Sequence, residues 1–192
     1  MTICLIQGHP HGNSGHFCHA LADAYEAGAR EAGATVNRLA IAALDFPLLS
    51  DPDDFPTPPP ASIREAQEAV SAADHLVIVY PLWLGTMPAL LKAFFEQLCR
   101  NEFAIAQNEK GGWPRQMLKG KSARVIVTMG MPAPAYRLFF GAHGVKSMES
   151  GILGMAGIKP VHDTLIGGAG ELTPDQARKH LDHVRNLGRH EK

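Results

Sequence analysis

The chain predicts an α/β fold, a doubly wound five-stranded parallel sheet in the order 2-1-3-4-5, on three observations. Its strand-like runs are short and apolar without polar alternation, the pattern of strands buried on both faces. These runs alternate with helical periodicity, so right-handed crossovers would lay helices on both sides of the sheet. Five such runs favour the order whose ligand lies at the switch between the first and third strands.

Each element has a local reason. Residues 2–7 are a short apolar run, followed by a Gly/His/Pro loop and then Phe17, Leu21 and Tyr25 at helical spacing until Gly33 stops the helix. Val36, Leu39 and Ile41 make a second strand over residues 35–41, and residues 45–60, dense in Pro and Asp, read as a long surface excursion. A helix starts at Ala61 with Ile63, Ala66, Ala69 and Val70 on one face. Residues 76–80 are a third, fully buried strand that Pro81 ends, because proline has no N–H for a ladder. Pro88 stands at the first position of the next helix, which carries Ala89, Leu90, Leu91, Phe94 and Phe95. Residues 101–120 show little periodicity and read as a long loop. Residues 123–129 and 161–166 are the last two strands, separated by a weakly helical stretch over 147–156. Residues 173–187 form a closing helix capped by Thr173 with Pro174 at its first position.

The 192 residues suit one domain, 1–192, with 45% hydrophobic and 19% charged residues. A formal net charge of −1 gives no long-range attraction to nucleic acid or anionic membrane. No apolar stretch approaches the ~20 residues of a membrane span, and no basic, cleavable leader precedes the first strand, so the expectation is a soluble cytoplasmic protein. Cys4, Cys18 and Cys99 are three and scattered, which argues against a disulfide framework or a thiolate zinc site.

The expected fold brings three unusual loops to one sheet edge. The first, GHPHGNSGHF over residues 8–17, offers backbone N–H groups, the Asn13 amide and the Ser14 hydroxyl just before a helix, a means of binding phosphate without lysine. It matches neither the Walker A nor the G-x-G-x-x-G pattern, and a polar turn that only caps a helix is the simpler alternative. His9, His11, His16 and His19 crowd this region, yet they lack the spacing and carboxylates of a metal site, and none is assigned. Ser14 lies in no nucleophile elbow. The second loop presents Leu82, Trp83, Leu84 and Gly85 beyond a strand end, an apolar shelf suited to a planar aromatic ligand. A core position for Trp83 is the simpler alternative. The third, VTMGMPAPAY over residues 127–136, adds Thr128, Gly130 and Tyr136, with His143 seven residues on. A phenol and an imidazole beside a bound ring could stabilise charge that develops on reduction.

Together these segments resemble the flavodoxin-like NAD(P)H:quinone oxidoreductase family, the DT-diaphorase and modulator-of-drug-activity type of flavoprotein, over most of the chain. PLWLGTMPALLKAFFEQL (residues 81–98) carries the resemblance furthest, supported by the His-Pro loop, the Thr-x-Gly segment and SGILGMAGIKPV (150–161). The resemblance implies a flavin with its ring against Pro81, Leu82, Trp83 and Leu84. Its phosphate would be held by the loop containing His9, Ser14, His16 and Phe17, with Cys18 where an Asn often follows in the family. Its pyrimidine edge would lie near Thr128, Met129 and Gly130, with Tyr136 and His143 as the catalytic pair. The flavin is FMN or FAD, and FMN is favoured because no long C-terminal extension follows. The implied reaction is two-electron ping-pong hydride transfer from NAD(P)H to a quinone-like acceptor, with nitroaromatic or azo compounds as further substrates. The resemblance also implies a homodimer with the site at the interface. The alternative function is a flavin-binding regulatory subunit of a membrane transport system. A flavodoxin-like electron carrier ranks lower, since such carriers are usually markedly acidic and this chain is nearly neutral.

Overall fold

The computed structural model describes residues 1–12, 15–108 and 111–190. Five parallel strands form the main sheet: β1 (Thr2–Gln7), β2 (Thr35–Ala40), β3 (His75–Pro81), β6 (Ser122–Thr128) and β7 (Val161–Ile166), in the order β2-β1-β3-β6-β7. Counting only these strands in chain order, this is the expected 2-1-3-4-5. The two remaining strands, β4 (Ile105–Ala106) and β5 (Arg115–Gln116), pair antiparallel on their own. The expected featureless loop over 101–120 is thus corrected to one containing a short hairpin. Strands of two residues are too short to leave an alternation in the sequence.

The unbroken apolar runs supply both faces of the sheet. Cys4, Ile6, Leu76, Ile78, Tyr80, Val125 and Val127 join the core that contains Ile63 and Val70 of α2 (Ala61–Ala72) and Leu91, Phe94 and Phe95 of α3 (Ala89–Leu98). Ile3, Leu5, Val77, Val79 and Ile126 point the other way, toward Leu21 and Tyr25 of α1 (Phe17–Glu31) and Val184 of α6 (Pro174–His190). The period-two geometry of a strand makes the division. Among the described residues no helix is long and apolar enough to cross a membrane.

Two proline positions differ from expectation by one residue. Pro81 is the last residue of β3 rather than its terminator, and the Leu82 N–H still donates to the Thr128 carbonyl at 2.7 Å. Strand alternation puts proline's missing donor on the β1 side, where the register ends with Gln7 opposite Val79 and the Gly8 N–H donates to the Val79 carbonyl at 2.7 Å. Pro88 caps α3 instead of opening it, its carbonyl accepting from Lys92 N–H at 3.1 Å. At the far end, Thr173 and Gln176 form a reciprocal capping box: Gln176 N–H donates to Thr173 Oγ1 at 3.3 Å, and Thr173 N–H to Gln176 Oε1 at 2.9 Å. Between β6 and β7 lie α4 (Ala133–Phe139), α5 (His143–Lys146) and a π-helical stretch (Ser147–Gly154), which accounts for the weak helical periodicity there.

Candidate functional site

The carboxyl ends of β1, β3 and β6 bring the three loops together. Gly8 leaves β1 where a Cβ would meet Leu91 Cδ2 at 2.8 Å and Tyr80 Cβ at 3.0 Å, so the chain presses onto the core there. His9 is buried and lies edge-on to Trp83, ring centroids 6.1 Å apart, linking the first loop to the second. Cys18 Sγ and Thr128 Oγ1 are 3.1 Å apart, linking α1 to the third loop. Leu82 N–H to the Thr128 carbonyl closes the ring of contacts.

The first loop is a packed set of imidazoles. His9 Nδ1 accepts the His11 backbone N–H at 3.1 Å, so that nitrogen carries no proton. His9 and His16 stack with centroids 4.1 Å apart, and His11 Nδ1 lies 2.9 Å from His16 Nε2. His19 is buried, and its Nδ1 has no hydrogen-bond partner among the described residues. Burial, then the neighbouring His16, pushes the His9 imidazolium below the ordinary histidine range. Burial, His16 and Arg38 do the same to His19. Ser14 lies outside the described residues. His16 is the N-cap of α1 without a side-chain cap, and Phe17 and Cys18 precede the helical ladder, whose first donors are His19 and Ala20 to the His16 carbonyl. The Cys18 thiol is pushed up to about 11 by burial, so it stays protonated at neutral pH and serves as a partner of Thr128 rather than as a nucleophile.

These depressed histidines fix a pH dependence. At neutral pH both are uncharged, folded or unfolded; below about pH 6.5 the unfolded chain takes protons first, so stability falls as pH falls. The melting temperature is expected to drop between about pH 7 and 5.5, and His19→Gln should drop less steeply, as differential scanning calorimetry would reveal. Parallel pH profiles for the two proteins would contradict it.

The second loop is a tight turn. Trp83 N–H donates to the Thr86 carbonyl at 2.9 Å and Thr86 N–H returns to Trp83 at 3.1 Å, with Leu84 and Gly85 in the left-handed region at φ 49° and 82°. Leu84 is fully exposed and Trp83 is 49% exposed, against the core alternative for the tryptophan. In the third loop Gly130 is exposed with open space where a Cβ would stand, whereas Met129 turns into the core. Met129 N–H donates to the Ile166 carbonyl and its own carbonyl accepts from Ala169 N–H, both at 2.9 Å. Its backbone is therefore committed to the fold.

Tyr136 is buried, and its hydroxyl donates to the Gly85 carbonyl at 3.0 Å. The phenol is thus joined to the turn that carries Trp83 and Leu84. His143 is exposed, its Nε2 2.7 Å from where a Cβ of Gly141 would lie. Gly144, which no sequence pattern singles out, packs on the turn so closely that a Cβ would come within 2.1 Å of the Gly85 oxygen. Its only signal is a Gly beside a candidate histidine. His11 and His19 were visible as part of a histidine-rich loop, but their contacts were not. Among the described residues no three His, Cys, Asp or Glu are arranged to hold a metal ion.

A cavity lies away from these three loops. A groove of about 890 Å³ runs between the β4–β5 hairpin and the π-helical stretch, lined by residues including Trp113, Arg115, Gln116, Glu149, Met155 and Lys159, and by none of the expected site residues. At the strand ends Trp83 and Leu84 offer an exposed apolar shelf.

Among known proteins, the chain is 39% identical over 95 residues to FMN-dependent NADH:quinone oxidoreductase 1 of Hahella chejuensis, covering 49% of this chain and 43% of that protein. It is 34% identical over 97 residues to the glutathione-regulated potassium-efflux system ancillary protein KefG of Cronobacter sakazakii, covering 50% of each. The chain spans about half the length of the curated relatives it matches. Among solved structures, Smu.1420 from Streptococcus mutans UA159 superimposes with a TM-score of 0.81 at 27% identity, over 98% of this chain and 99% of that one. A family model described as a flavodoxin-like fold matches residues 1–187, in accord with the strand order and the ligand-side loops described above, and the chain belongs to that flavodoxin-like family.

Proposed function

We propose that the protein is an FMN-dependent NAD(P)H oxidoreductase of quinones, working by two-electron ping-pong transfer. The observation that carries the reading is the junction of His9 with Trp83 at the sheet edge, which sets an apolar shelf beside an imidazole-lined helix start. The relation to a protein named FMN-dependent NADH:quinone oxidoreductase supports both cofactor and donor. The residues present fit a flavin: Trp83 and Leu84 are exposed, Gly130 is exposed with open space where a Cβ would stand, and the buried His19 Nδ1 still lacks a partner among the described residues.

Bound flavin supplies the centre that accepts and returns a hydride. The chain does the rest. Pro81, Leu82, Trp83 and Leu84 offer apolar surface to the ring, and Gly130 permits close approach at its edge. His9, His16, Phe17 and Cys18 border the phosphate site at the start of α1, where unpaired amides and the helix dipole favour an anion. Tyr136 acts as a positioning residue, holding Gly85 and hence the turn. The exposed His143 imidazole is the group available to hold a proton at Nε2. We read residues 1–192 as one flavin-binding domain, and its free thiols Cys4, Cys18 and Cys99 suit a reducing cytoplasm.

Leu84, Leu138, Phe139 and Phe140 leave large apolar side chains exposed near the shelf, which supports a homodimer burying them. Phe139 is 83% exposed, so Phe139→Asp is expected to leave the fold intact and shift the protein to monomer in sedimentation velocity. A monomeric wild-type protein would remove the dimer. Regulation of a membrane transport system is the second reading, favoured by the relation to an efflux-system ancillary protein. One experiment separates them: the protein is purified, its released flavin identified, and the loaded enzyme mixed anaerobically with NADH or NADPH and then a benzoquinone. Bleaching followed by rapid reoxidation by the quinone supports the reductase. A flavin that binds without turning over supports the regulatory subunit, and a protein that cannot be loaded with FMN or FAD defeats both.

A further inference from the structure

The first loop contains more histidine than a phosphate site of amides and hydroxyls requires, and its local charge is unusual. No Lys, Arg, Asp or Glu occurs in residues 8–17, nor in 81–88 or 128–135, the other two loops. The nearest fixed charges are on α1 and β2. Arg38 pairs with Asp23 and Glu26 and donates from Nε to Gln7 Oε1 at 3.0 Å, so this cation is already engaged. The Cys18 thiol, facing Thr128, is neutral. What remains near the start of α1 is four imidazoles: the His9–His16 stack, the His11–His16 pair, and the buried His19 with one nitrogen unpartnered among the described residues.

Resting on the flavin reading, we infer that these four histidines form a proton-linked receptor for the flavin's phosphate, selecting FMN over riboflavin and taking up protons as FMN binds. In the free protein, burial and the neighbouring His16 push the His9 and His19 imidazoliums below the ordinary histidine range, so these two favour the neutral form. A phosphate dianion arriving among them reverses the balance, because each proton then pairs with negative charge instead of meeting only other imidazoles. Binding and protonation favour each other by linkage. One linked proton changes affinity by up to about tenfold per pH unit, greater toward lower pH. A helix N-terminus alone carries a fixed dipole and would give no such dependence, and a lysine or arginine would supply its charge at every pH.

The test is titration calorimetry of the apoprotein with FMN and with riboflavin near pH 7.5, each in two buffers of different ionisation heat. At this pH the phosphate, with a second pKa of about 6, is already mostly dianionic, so its own ionisation adds little. The expected result is net proton uptake with FMN and none with riboflavin. His11→Asn and His16→Asn, both at exposed positions, should each weaken FMN binding about tenfold and reduce the uptake, with riboflavin affinity unchanged. FMN binding without proton uptake, or equal uptake with both flavins, would overturn the inference and leave the flavin reading standing. Failure of every flavin to bind would instead bring down the flavin reading, and this inference with it.

Discussion

Gly144→Ala is expected to lower the melting temperature and to strip the protein of retained flavin. The new Cβ would lie 2.1 Å from the Gly85 oxygen and 2.7 Å from Thr86 Cα, both backbone atoms that no side-chain rotation can move aside. The turn it strikes is held on three sides: by the paired Trp83 and Thr86 hydrogen bonds, by the Tyr136 hydroxyl on Gly85, and by left-handed backbone at Leu84 and Gly85. Either α5 withdraws, loosening buried Val145, or the turn shifts and carries the Trp83 shelf with it. Overpacking of this kind costs about 1–3 kcal/mol. For a chain of this length each kcal/mol lowers the melting temperature by about 2–4 °C. Thermal melts, with the flavin-to-protein absorbance ratio of the purified variant, measure both effects. A normal melting temperature with full flavin content would show that α5 and the turn are not packed as described.

Gly28→Val should be as damaging to stability, at a place remote from the ligand-side turn. A Cβ at Gly28 would lie 1.9 Å from the Arg185 oxygen, and one at Gly188 would lie 2.3 Å from the Tyr25 oxygen. Each helix thus contributes a glycine to the crossing of α1 and α6, and the backbones approach as closely as only missing side chains allow. α6 buries little besides Val184 and Gly188, so its hold on the sheet depends on this approach. The ion pairs of Arg185 and Arg189 with Glu31 are exposed and contribute little in its place. The expected loss is at least the ~1–3 kcal/mol of an overpacked core. Hydrogen exchange should show α6 losing protection ahead of the central strands. Global and α6 exchange rates that stay equal to wild type would refute the tight crossing.

The parts of this protein determined by sequence alone are those whose cause is local. Both-face burial of β1, β3 and β6 is written in their apolar runs, the start of α6 in Thr173 and Pro174, and the sheet order in the alternation of strands and helices. The convergence of three loops on one edge followed from that order. Tertiary structure decided what each side chain at that edge does. Tyr136 and Gly85 are 51 residues apart, and Cys18 and Thr128 are 110 apart, and no periodicity in a single chain encodes such pairs. The same is true of Gly144 under the Trp83 turn and of Gly28 against α6, where the determining fact is the distance to a backbone elsewhere in the chain. Periodicity reports whether a residue faces the interior of its own element. Which partner it meets there is settled only when the chain returns, because hydrogen bonds and close contacts depend on fractions of an ångström that the pattern of apolar and polar residues does not carry.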